Sequence, residues 1–400
     1  MRAIGAIMSD RFTVTTSKSW FSRLAESIKS VLVGLILFVA AFPILFWNEG
    51  RAIKTARSLE EGSGAVVSIS SDVVSPGNEG KLVHVTGPIS TDGPVVDGDL
   101  GVQATAVKLV RNVSMYQWIE EEKSETRKKL GGGEETVTTY EYKKDWASSP
   151  VDSSSFQVTE GHVNPGDFPL PSETFVADPV RLGAFTLSEE QLGQLDEAKD
   201  LPVGAAAADS LPEGMEATVD KGAFYIGTNP AAPAVGDVRI SFQVVNPAQA
   251  SVVAVQTGSS FAPYAAEAGD TVLLVEEGTH TSAEMFQTAQ SANTVMTWIL
   301  RGGGFLAMVL GLFLVFRPLS VLGDVVPFIG SLLGVGVGLF ALVIGAALSS
   351  ITIAIAWFFV RPLLGIALLV LAVGGMVWLL RANRKKKLLQ QAQGSAVKAA

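Results

Sequence analysis

Two apolar blocks decide what this chain can fold into. Ser30 to Trp47 reads Ser-Val-Leu-Val-Gly-Leu-Ile-Leu-Phe-Val-Ala-Ala-Phe-Pro-Ile-Leu-Phe-Trp, and a second apolar region occupies residues 295 to 380. As a helix the first block rises about 27 Å, enough to cross the hydrocarbon layer of a bilayer. Between the blocks the sequence has the composition of an ordinary water-soluble domain. A mean hydropathy of +0.34 with 17% charged residues is too apolar for 400 residues of soluble protein. The pattern is one soluble domain on a membrane frame.

Charge divides the same way. Residues 49 to 294 hold 36 acidic and 16 basic side chains, a balance of -20, while the rest of the chain holds 3 and 14, a balance of +11. Basic flanks of membrane segments favour the cytoplasmic side, and both ends of this chain are basic. A domain at -20 is a poor partner for nucleic acid, whose phosphates require a positive surface. Cysteine is absent, so disulfides and thiolate metal sites are excluded.

In chain order, residues 1–29 carry five cations against Asp10 and Glu26 and read as a basic cytoplasmic arm. Residues 30–47 form the first transmembrane helix. The Pro-Ile-Leu-Phe-Trp end lacks small residues at a cleavage spacing, which favours a retained signal anchor over a cleaved signal peptide. Pro43 is expected to kink this helix or loosen its last turns. Residues 48–294 are expected to be a β-rich α+β extracytoplasmic domain, because period-two patterns recur at 81–87, 106–119, 136–142, 222–226, 236–245, 251–256 and 271–275. The charged run Glu120 to Lys129, followed by Gly131, Gly132 and Gly133, predicts a protruding hairpin. Ser188 to Leu195 predicts a short helix with a Ser N-cap, and Asp200 to Gly214 a loop or loosely packed helix.

Three further spans follow, making four in all. The second covers residues 295–316 and is ended by Arg317-Pro318, with Arg301 positioned to snorkel to the headgroups. A cytoplasmic or interfacial loop at 317–333 leads to spans at 334–359 and 362–380. Their turn is placed at Arg361-Pro362, with Ser349-Ser350 as the alternative. The basic tail, 381–400, puts both termini in the cytoplasm by the positive-inside rule.

Few residues suggest chemistry. His84, His162 and His280 lack a paired ligand spacing, so packed or solvated histidines are favoured over a metal site. No Gly-x-Ser-x-Gly elbow or Ser/Lys spacing appears. The acidic clusters Glu60-Glu61, Glu120 to Glu122 and Glu276-Glu277 read as solvated faces. The expectation is a protein without enzymatic activity, metal or cofactor. Arg51, Lys54 and Arg57 share one helix face and are candidates for contact with anionic headgroups or a partner. Gly302, Gly303, Gly304, Gly334, Gly338, Gly345, Gly374 and Gly375 supply small faces through which membrane helices approach, within one chain or between copies.

Several blocks carry a family resemblance: residues 48–62, Asn78-Glu-Gly-Lys-Leu-Val-His, Val107-Lys-Leu-Val-Arg-Asn-Val-Ser-Met-Tyr-Gln-Trp-Ile-Glu, Val235-Gly-Asp-Val-Arg-Ile-Ser-Phe and Ala356-Trp-Phe-Phe-Val-Arg-Pro-Leu. Spread over most of the chain, they resemble the transmembrane protein 43 family, also called LUMA. That resemblance implies one amino-terminal crossing, a large non-cytoplasmic domain and three carboxyl-terminal crossings. It also implies self-association and binding to other membrane proteins, since eukaryotic members do both in the endoplasmic reticulum and inner nuclear membrane. The Ala-rich insert near Val203 to Asp209 and the longer tail depart from the family. The Ala/Gly/Val-rich composition suggests a bacterial member, in the plasma (inner) membrane. The expected function is a homo-oligomeric membrane scaffold that organises other membrane or envelope proteins. The alternative is a sensor binding a lipid or small ligand in the β-rich domain.

Overall fold

The structure, a computed structural model, describes residues 10–211 and 215–360. Its described residues divide into a β-rich unit, covering 10–19, 57–129, 133–211 and 215–291, and a helical unit, covering 20–56, 130–132 and 292–360.

Two large sheets and two two-stranded ribbons build the β-rich unit. The larger has eight strands, with Arg11–Lys18, Glu134–Ala147, Lys108–Lys128, Val238–Val245, Ala223–Ile226 and Thr218–Asp220 in that spatial order. The smaller has seven, centred on the antiparallel pair Leu82–Thr91 and Gln249–Thr257. Alternation sets the buried face: Leu109, Val113 and Met115 point inward and join Ile240, Phe242, Val252 and Ala254 in one core. The charged run forms one arm of a hairpin, with Lys128 opposite Glu134, and its charges are neutralised across the strands by pairs such as Lys123–Glu141 and Lys143–Glu121. The short helix α2, here Glu189–Leu192, follows Ser188, whose backbone N–H donates to Gln191 Oε1 at 2.7 Å. The 200–214 segment contributes a strand, Lys199–Leu201, and a 3-10 turn, Ala205–Ser210.

Helix α1 is Trp20–Ala65, α3 is Ser282–Gly323 and α4 is Pro327–Val360. All three are long and apolar enough to cross a membrane. Large apolar side chains point outward from each, including Leu32 at 65% exposed and Val335 at 71%. Apolar surface on both the inner and outer faces requires lipid rather than water as the surrounding medium.

Four boundaries differ from the sequence reading. The basic arm is instead a strand from Arg11 to Lys18, because its Thr-rich sequence finds a complete antiparallel partner in Glu134–Glu141. The first helix does not stop at Trp47 but continues as helix through the polar stretch to Ala65. Pro318 does not end α3, which runs on to Gly323. It deprives the Leu314 carbonyl of its helical donor; Ser30 Oγ of α1 lies 3.5 Å from that oxygen, with the Ser27 carbonyl as its nearer acceptor at 2.6 Å. The 317–333 loop therefore shrinks to a turn before Pro327. Since α4 passes through Ser349 and Ser350 without a break, no turn occurs there. The fourth span at 362–380, the Arg361-Pro362 turn and the basic tail lie outside the described residues, within which there are three candidate spans.

The Arg11–Lys18 pairing also bears on sidedness. Thr13 is opposite Thr139, and a strand shares a compartment with the strand it is hydrogen-bonded to. Residues 11–18 therefore cannot be cytoplasmic while 134–141 are extracytoplasmic. Because the chain has no cysteine, the pairing has a clean test. Thr13→Cys with Thr139→Cys is expected to cross-link under mild oxidation and to label from one side of sealed vesicles. Thr13→Cys with Lys143→Cys, four residues out of register, is expected not to cross-link. Labelling of Thr13→Cys and Thr139→Cys from opposite sides would refute the pairing.

Candidate functional site

The helical unit is held by polar groups near each end of its apolar segments. At the first end, Glu49 lies two residues beyond the Ser30–Trp47 run, and its side chain is 3% exposed. Arg301 of α3 grips it side-on, Nε to Oε1 at 2.6 Å and Nη2 to Oε2 at 2.8 Å, and Trp357 of α4 donates its indole N–H to Oε2 at 2.7 Å. One carboxylate thus joins three helices. Trp298 and Trp357 also flank the guanidinium, with ring centres 4.8 and 5.9 Å from its carbon. A paired, aromatic-flanked arginine suits the membrane–water boundary, where indoles collect.

Two residues further along α1, Arg51 donates to Asn293 Oδ1 at 3.0 Å and to Thr297 Oγ1 at 3.1 Å. Asn48 donates to the Thr297 carbonyl at 3.1 Å, and Asn293 donates back to the Ala52 carbonyl at 2.9 Å. Of the three proposed surface cations, Arg51 is therefore turned onto α3, and its Nε is buried without a partner among the described residues. Lys54 and Arg57 are exposed. The i, i+3, i+6 spacing places the three on one face, but α3 covers the first of them.

At the other end, Arg23 pairs with Asp324 at 2.5 Å, with the side chains 9% and 1% exposed, and donates to the Gly132 carbonyl. Trp20 donates its indole N–H to the Val321 carbonyl at 2.8 Å, and Gly131 N–H donates to the Val325 carbonyl. Arg23 and Glu49 are separated by about 39 Å of helix, against roughly 30 Å of hydrocarbon. The two clasps are thus spaced to lie just outside the apolar layer. The turn 130–132 groups with the end carrying Arg23.

Glycine packing is selective. A Cβ at Gly304 would meet Leu45 at 2.6 Å, and one at Gly345 would meet Val309 at 2.7 Å. Gly302, Gly303 and Gly338 have nothing within 4 Å, and Gly334 has only an ordinary contact with Ser320. Gly374 and Gly375 lie outside the described residues. A backbone-to-backbone approach between α1 and α3 involves two glycines the sequence reading passed over. A Cβ at Gly311 would lie 2.6 Å from Phe38 N, and one at Gly34 would lie 2.7 Å from the Gly311 carbonyl. Gly311→Ala is expected to cost about 1–3 kcal/mol, since backbone must move, whereas Gly303→Ala should stay within about 0.5 kcal/mol. Thermal unfolding of the two variants in detergent checks this, and equal stability would contradict the contact.

Within the β-rich unit the histidines are packed. His84 Nε2 donates to the His280 carbonyl at 2.9 Å, and its Nδ1 is hydrogen-bonded to Ser68 Oγ at 3.1 Å. His162 stacks on Tyr142 with ring centres 3.9 Å apart. Burial, then the hydrogen bond to Glu120, push the Tyr142 hydroxyl up to about 12. Among the described residues no group of three or more His, Asp or Glu side chains is arranged to hold a metal. The sequence reading missed Arg111, which is 0% exposed and paired with Asp97 at 2.8 Å, Asp99 at 2.9 Å and Glu173 at 2.9 Å. Its signal was parity, because Arg111 shares the inward face with Leu109 and Val113.

Apolar helices clasped by ion pairs, joined in sequence to a β-rich unit, define an integral membrane protein. The family described as Transmembrane protein 43 matches residues 115–362. Transmembrane protein 43 of Mus musculus is 37% identical over 365 residues, covering 88% of this chain and 90% of its own length. The Homo sapiens protein of that name is 37% identical over 363 residues, covering 87% and 89%. The Transmembrane protein 43 homolog of Drosophila melanogaster is 32% identical over 373 residues, covering 90% and 97%. This chain belongs to the transmembrane protein 43 family. No solved structure matches it significantly.

Proposed function

We propose that this protein is a non-enzymatic membrane scaffold that self-associates and organises other membrane or envelope proteins, in the plasma membrane if the chain is bacterial. One observation carries the reading. Among the described residues every buried charged side chain, Arg23, Glu49, Asp97, Arg111 and Asp324, ends on a protein partner. Buried charge here ties elements together, as suits a rigid platform rather than a catalytic cleft. Lys54, exposed on α1, is a cation that headgroups or a partner can reach. Lys54→Glu is expected to reduce recovery of co-purifying membrane proteins while leaving thermal unfolding unchanged. Undiminished recovery would count against this surface.

A sensor role is the second reading, favoured by a cavity of 390 Å³ in the β-rich unit. Leu100, Val102, Leu201, Val203 and Ala207 are among its lining residues, so the Ala-rich insert contributes a wall. Val203→Trp would fill it. Function lost on that substitution, with self-association intact, would favour the sensor.

A further inference from the structure

The Arg301 clasp leaves part of its guanidinium unused. Nε and Nη2 are spent on Glu49, and Nη1 has no hydrogen-bond acceptor among the described residues. Beside it lies a cavity of 380 Å³ lined by Trp298 and Arg301 of α3 and by Ser350, Ile353, Ala354 and Trp357 of α4. Among the described residues Arg301 Nη1 is a donor with no acceptor, so an occupant that meets it must bring one, and the Ser350 hydroxyl can donate to the same occupant. Glu49 is saturated on this side, holding two donors from Arg301 and one from Trp357. The rest of the wall is aliphatic and aromatic, and it runs down α4 into the apolar span.

We propose that this cavity is a glycerophospholipid site. The phosphate accepts from Arg301 Nη1 between the Trp298 and Trp357 indoles, and an acyl chain lies along Ile353 and Ala354. Three features of the groove select that ligand. A phosphate supplies several acceptors to a guanidinium edge, the paired indoles fix the level at which headgroups sit, and the wall below them is apolar. Inorganic phosphate satisfies only the first, and a diacylglycerol only the last two. The inference does not depend on the scaffold reading.

The test is native mass spectrometry of the delipidated full chain in detergent, titrated with phosphatidylglycerol, with dioleoylglycerol or with inorganic phosphate. The expected result is one phosphatidylglycerol retained per chain, with dioleoylglycerol and phosphate each at least about tenfold weaker, the loss expected when a charge-assisted hydrogen bond or the chain contact is missing. Ala354→Phe fills the groove without touching the ion pair and is expected to lose the bound lipid. Leu342→Phe, elsewhere on α4, is expected to keep it. Equal retention of phosphatidylglycerol by Ala354→Phe, equal binding of dioleoylglycerol, or phosphate binding as tightly as the lipid would each overturn the proposal. The ligand comparison on the unaltered chain stands even if Ala354→Phe fails to fold.

Discussion

Arg111→Met is expected to destabilise the β-rich unit by about 3–5 kcal/mol, a drop of roughly 10 °C in its unfolding temperature. Three carboxylates meet this guanidinium, but they do not share the cost. Asp99 and Glu173 are 54% and 49% exposed and rehydrate when the arginine is gone, whereas Asp97 at 0% exposed cannot. Asp97 keeps backbone donors from Asp99 and Leu100, which stabilise its carboxylate but do not neutralise it. Arg111→Met with Asp97→Asn is therefore expected to recover much of the loss, because no full charge is then left buried. Unfolding of the full chain followed by near-ultraviolet circular dichroism checks this. A double variant no more stable than Arg111→Met alone would mean that packing, not the orphaned charge, sets the cost.

The second large effect belongs to the helical unit. Glu49→Ala leaves Arg301 without its counter-ion and Trp357 without its acceptor, and is expected to cost about 3–5 kcal/mol. Arg301→Ala is expected to cost a similar amount by stranding Glu49. Since each single change already removes the interaction, Glu49→Ala with Arg301→Ala should fall well short of the sum. Additive losses in thermal unfolding would show that the two residues act separately.

Much of the frame was legible because lipid imposes a coarse rule. Ser30 to Trp47 and 295 to 316 announce themselves by composition, and the strands at 108–119 and 238–245 by alternation, so neither needs tertiary knowledge. The ends of those elements were not legible. Helix α1 extends to Ala65 because its polar turns find partners in Asn293 and Thr297, about 240 residues away in sequence. Pro318 was read as a stop, and local rules hold no trace of Ser30 beside the carbonyl it frees. The site was half visible. A lone acid after one span and a lone arginine within another are complementary, yet Arg301 was assigned to headgroups because its distance from Glu49 in space was unknown. Arg11–Lys18 was misread for the same reason, as its strand character depends on Glu134–Glu141 being free to pair.

The central claim, a membrane scaffold built from copies of this chain, is tested most directly by releasing the protein from lipid nanodiscs into a native mass spectrometer with no suspected ligand added. The scaffold account predicts a discrete homo-oligomer or a co-purifying membrane protein. A bare monomer carrying a stoichiometric small molecule or metal would contradict it.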